Sequence, residues 1–198
     1  MSNVIELEFS KSQAIQIYLP CEREKINSFV NVSIKYKKDN IDYDLFINDF
    51  ISEAIKSLNS LLNKALNSEL QIKSEYVERG IGYYHNIYSH ELWTTDKLDI
   101  DDPAENFLIW STPSHVGIET YIYNIQDEIY IEISPIYKWN SDYPDDEREY
   151  ETFEDFISQH QIIGIININR EVALQWQKKC FEVLEIAESN DRNDLKKT

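Results

Sequence analysis

Between Gly117 and Tyr137 the chain alternates polar and apolar residues along two consecutive runs, which constrains it to a β-hairpin. Ile118, Thr120, Ile122 and Asn124 alternate with Glu119, Tyr121 and Tyr123; Ile129, Ile131 and Ile133 then alternate with Tyr130, Glu132 and Ser134. Residues two apart share one face of a strand, so the isoleucines collect on one side. Gln126-Asp127-Glu128 breaks the two runs, and Pro135 ends the ladder because proline has no N–H to donate. The isoleucine face is expected to meet the core and the Tyr/Glu face to be partly exposed.

Other stretches repeat this period. Val30, Val32, Ile34 and Tyr36 lead through a Lys38-Asp39-Asn40 turn into Ile41, Tyr43 and Leu45, a second hairpin. Val4 to Phe9 and Ala14 to Leu19 are shorter alternations, and Phe107 to Trp110 is a short apolar strand. Leu70, Ile72, Tyr76 and Val77 suggest a strand, and Arg79-Gly80-Ile81-Gly82 a turn or bulge. Tyr83, Tyr84, Tyr88 and Trp93 read as an aromatic-rich extended region, and Thr94 to Glu105 as an acidic loop. Ile162 to Ile166 fits either a strand or a buried helical turn.

Three segments have helical spacing. Phe50 to Leu66 places Ile51, Ala54, Ile55, Leu58, Leu61, Leu62 and Ala65 on one stripe, with Asn48 or Asp49 as its cap. Thr152 to His160 carries Phe153, Phe156 and Ile157 behind a Thr152–Asp155 capping pattern. A last helix follows Asn167 or Asn169 and lines up Val172, Ala173, Trp176, Cys180, Val183, Leu184 and Ala187. From about Ser189 the chain is polar and is expected to fray. The order predicts an α+β fold over residues 1–198 as a single domain, a mostly antiparallel sheet with helices packed on one face.

Charge bounds the function. Asp and Glu number 36 against 19 Lys and Arg, a formal net charge of −17. Such a surface repels phosphate backbones and anionic lipid, so neither nucleic acid nor membrane is an expected partner; a basic protein is. Cys21 and Cys180 are too few and too far apart for a disulfide framework or metal spacing, and Cys180 falls on the apolar stripe. The N-terminus has acids where a signal peptide has bases, and a cytoplasmic location is expected.

No catalytic, cofactor or metal site is predicted. His85 and His90 are five apart in a stretch read as extended, which puts their rings on opposite faces. His115 lies near Ser111 and Ser114 without a G-x-S-x-G elbow, and four glycines leave no phosphate loop. Carboxylates are numerous enough that an acid/base pair, as in a hydrolase, stays open as an alternative.

The acid excess concentrates in Trp139 to Asp155, WNSDYPDDEREYETFED, where Arg148 is the only base. Two readings fit it: a docking surface for a basic protein, or a solvated loop whose last acids favour a helix N-terminus. On the docking reading Asp142, Asp145, Asp146, Glu147 and Glu149 attract the partner, and Trp139, Tyr143 and Tyr150 hold it. The run GIETYIYNIQDEIYIEISPIYKWNSDYPDDEREYETFEDF, with the chain's size and acidity, resembles bacterial immunity proteins of polymorphic-toxin and contact-dependent growth-inhibition systems. The resemblance implies tight binding to a basic toxin domain, often a nuclease, through acidic side chains over its active site. An acidic regulatory subunit of a larger assembly is a further alternative; the sequence leaves oligomeric state open.

Overall fold

In the computed structural model, which describes residues 4–10, 13–39, 41–95, 101–140 and 150–195, the strands form two four-stranded antiparallel sheets. The first comprises β1 (Val4–Glu8), β2 (Gln13–Tyr18), β3 (Asn31–Lys38) and β4 (Ile41–Phe50). The second comprises β5 (Leu108–Ser111), β6 (Ile118–Ile125), β7 (Glu128–Pro135) and β8 (Gly164–Ile168). Each is a meander in chain order, with every neighbouring pair of strands antiparallel. The predicted hairpin is β6–β7, paired from Ile118↔Pro135 to Ile125↔Glu128, and its turn residue Gln126 has φ +56°. The α+β class and antiparallel pairing agree with the sequence reading.

Helix α1 (Ile51–Leu66) packs against α4 (Arg170–Leu195), and both share one core with the inner faces of the two sheets. Ala54, Ile55, Leu58 and Leu62 of α1 meet Ala173, Trp176, Cys180 and Val183 of α4 in a core that also holds Ile15, Ile34, Ile122 and Ile131. Each such Leu or Ile contributes about 1.5–3 kcal/mol by leaving water. The Trp110 indole N–H donates to the Ala54 carbonyl at 3.0 Å, and Asn124 donates to the Ala65 carbonyl at 3.0 Å, fixing α1 on β5 and β6. At the seam between the sheets the Tyr36 ring lies on Gly164, where a Cβ would come within 2.9 Å of it. Burial pushes the Cys180 thiol up to about 12.

Several expectations are corrected. The stretch read as extended from Tyr83 to Trp93 is helix α2 (Ile81–Thr94). It lies on the outer face of β6 and β7, so the second sheet has helices on both faces. Most of the Tyr/Glu face of the hairpin is consequently buried: Tyr121 and Glu132 are 0% exposed, while Tyr130 stays half-buried. Leu70 to Val77 is not a strand; Gln71 makes a single parallel bridge to Asn124, followed by a 3-10 turn. The cap position of α1 is Phe50 without a side-chain cap, because Asp49 turns back to accept from the Phe50 N–H at 2.7 Å.

At the other end α4 runs to Leu195, past the predicted fraying point. Asn190 donates to the carbonyls of Glu24 (2.8 Å) and Ile26 (2.7 Å), and Asp191 accepts from the Ser28 N–H, so tertiary bonds hold the last turns. Asn169 is the cap of α4, accepting from the Val172 N–H at 2.9 Å, and the ambiguous run becomes β8. Among the described residues no helix is long and apolar enough to cross a membrane.

Candidate functional site: the root of the acidic segment

Both described ends of the acidic segment meet at one place. Trp139, half-buried at the end of β7's extension, and Tyr150, 48% exposed, have ring centroids 6.4 Å apart. Asp142, Tyr143, Asp145, Asp146, Glu147 and Glu149 lie outside the described residues. The structure therefore brings Trp139 and Tyr150 together and describes none of the acids assigned to steering.

The root is built by α2 and α3 (Phe153–Gln159). Thr152 caps α3, its hydroxyl oxygen accepting from the Asp155 N–H at 3.1 Å as the sequence pattern predicts. This orients Phe153 onto α2, where its ring stacks flat on His90 at 3.8 Å and 7°. His90 Nδ1 lies 2.9 Å from Asn140 Oδ1, and the Asn86 side-chain Oδ1 accepts from the Tyr137 N–H at 2.7 Å. The Tyr137 hydroxyl donates to the Glu151 carbonyl at 2.9 Å, tying the outgoing and returning chain together. Burial, then the neighbouring Tyr150 hydroxyl, raises the Tyr137 pKa and keeps it a donor.

Beside this root a cavity of about 290 Å³ opens between the sheets, with Tyr43, Tyr137, Trp139 and Phe156 in its wall. Glu151 and Lys138 also line it, and the Lys138 ammonium lies 5.9 Å from the Trp139 ring centre.

A second cluster of ionisable groups sits under α2 and escaped the sequence reading. His85 Nδ1 lies 2.9 Å from Asp102 Oδ1, and its Nε2 lies 3.4 Å from Glu119 Oε2 and 3.3 Å from Ser89 Oγ. Ser89, His85 and Asp102 thus stand in the order of a nucleophile relay. Carboxylates at both ring nitrogens favour the imidazolium, which has no lone pair for the Ser89 proton. The cluster is an ion-pair clamp between α2, the loop before β5, and β6. Among the described residues no group of His, Cys, Asp and Glu could hold a metal ion. The only sequence clue was His85 itself; Asp102 and Glu119 come from distant segments.

Two antiparallel meanders about a shared pair of helices define the molecule as an α+β protein. Its fold is similar to that in the crystal structure of CdiI from Burkholderia dolosa AUO158, with a TM-score of 0.48 and 9% identity over 83% of this chain and 94% of that chain. No family model and no curated protein matches the chain.

Proposed function

We propose that this protein is an immunity protein that binds and neutralises a basic toxin domain, with the acidic, aromatic segment Trp139 to Asp155 as its docking surface. The observation that carries the reading is the junction of Trp139 and Tyr150, which joins both ends of the most acidic stretch of a chain of charge −17. Carboxylates steer a cationic partner from a distance, and exposed aromatic rings supply contact area once it arrives. A nuclease fits as partner because its phosphate-binding cleft is positive, and clustered carboxylates can take the place of phosphates there. On this reading the protein acts by occupying the toxin's site and performs no chemistry.

The test is affinity capture from lysate of the native host, followed by co-expression of whatever single basic protein is recovered. A stoichiometric partner released by salt, toxic alone and harmless with this chain present, is the expected result. Recovery of no basic partner, or of one whose toxicity persists on co-expression, overturns the reading.

A further inference from the structure

We propose that the cavity between Tyr43, Tyr137, Trp139 and Phe156 receives an arginine side chain of a protein partner, with Glu151 as its counter-charge. The inference rests on the docking role proposed above and names the group that the surface would recognise. Four aromatic residues and the acidic Glu151 line a single cavity beside Lys138, and rings with a carboxylate are the chemistry of a cation site. Ring faces attract a desolvated cation, and a planar guanidinium can stack on one ring while pairing with a carboxylate. The volume, about 290 Å³, sits at the small end of the roughly 300–1,000 Å³ of drug-sized ligand sites and is large enough for one long side chain.

Two further observations favour a cation over an apolar group. A cation already stands near one of these rings, since the Lys138 ammonium lies 5.9 Å from the Trp139 ring centre. An incoming guanidinium would displace that exposed ammonium to solvent, where it is readily hydrated. The cavity also adjoins the most acidic stretch of the sequence, so charge complementarity selects a basic visitor.

The experiment titrates the full-length, isotope-labelled protein with N-acetyl-arginine methylamide and follows its amide and indole resonances. A saturable millimolar response centred on the Trp139 indole and the Gly117 amide is expected, with none from the neutral citrulline analogue. Glu151→Gln and Trp139→Leu should each weaken it by roughly tenfold, with unperturbed resonances elsewhere showing that both variants remain folded. A response equal for citrulline, one that survives both substitutions, or no saturable response overturns the proposal. The probe needs no toxin, so its failure leaves the co-expression test intact, and failure of that test leaves the titration result unchanged.

Discussion

The carboxylate of Glu132, on β7, accepts the backbone N–H of Gly82 at 2.8 Å and that of Ile81 at 3.0 Å, so a strand residue terminates helix α2 from outside. The helix has no side-chain cap of its own. Gly80, at φ +81°, turns the chain around the carboxylate, where a Cβ would come within 2.6 Å of Glu132 Oε2. Ser134 and Tyr123 also donate to Glu132. Burial raises the Glu132 pKa, and these four donors only partly oppose it.

Replacing this carboxylate is expected to be costly even when shape is kept. Glu132→Gln puts an amide NH₂ where one of two helix N–H groups needs an acceptor. Leaving that buried donor unpaired costs about 1–3 kcal/mol. Urea unfolding of the variant checks this; an unchanged midpoint refutes it.

Gly82→Ala probes the docking of α2 on β7. A Cβ there would lie 2.3 Å from Ser134 Cβ, an atom next to the backbone that cannot swing aside. The helix must lift, and the expected loss is of the size of core overpacking, about 1–3 kcal/mol. Tyrosine near-ultraviolet dichroism should fall with it, because Tyr121 and Tyr123 lie beneath α2. Retention of both stability and dichroism would contradict this packing.

The His85 clamp makes stability depend on pH. Burial by itself lowers the His85 pKa, but the Asp102 hydrogen bond and the charges of Glu119 and Asp102 outweigh it, and the net shift is upward. For Asp102, burial raises the pKa, but the His85 bond, the Ala104 N–H and the His85 charge outweigh it, and the net shift is downward. A raised histidine contributes fully below its ordinary 6.5 and loses that contribution as pH rises through the folded value. A lowered aspartate contributes above its ordinary 3.8 and loses that contribution as pH falls through the folded value. The stability gap between wild type and His85→Asn should therefore be widest between about pH 4 and 6.5 and narrow by pH 9. Urea midpoints at several pH values measure it, and a gap constant with pH refutes the clamp.

Thr152→Ala removes the acceptor for the Asp155 N–H and should cost about 1 kcal/mol. The loss should concentrate in α3, raising hydrogen exchange there and loosening Phe153 from His90. Uniform exchange across α3 before and after the change would show that the cap contributes nothing.

For the proposed partner, Asn or Gln at Asp145, Asp146, Glu147 and Glu149 should slow association and flatten its salt dependence, because steering can raise on-rates to about 10⁸–10⁹ per molar per second at low salt. Removing the rings of Trp139, Tyr143 and Tyr150 should instead speed dissociation. Stopped-flow mixing with the toxin separates the two, and kinetics unchanged by the charge substitutions would move the interface elsewhere.

Elements whose pattern comes from facing one apolar core can be read from the residues alone. The isoleucines of Ile118 to Ile133, the α1 stripe, the Trp176–Cys180 stripe and the Thr152 cap were all legible, because period and local hydrogen bonding leave a mark in the residues themselves. Helix α2 left no such mark. Its buried residues are Ile81, Gly82 and Asn86, only one of them a large apolar side chain, because it docks on a polar sheet face. The same docking, invisible in either segment alone, buried Glu132 and Tyr121, set His85 between Asp102 and Glu119, and gave Trp139 and Tyr150 a common root through His90 and Asn140. Tertiary structure decided these because each is a pairing between distant segments, and the strength of a buried polar contact depends on a partner that local periodicity does not encode.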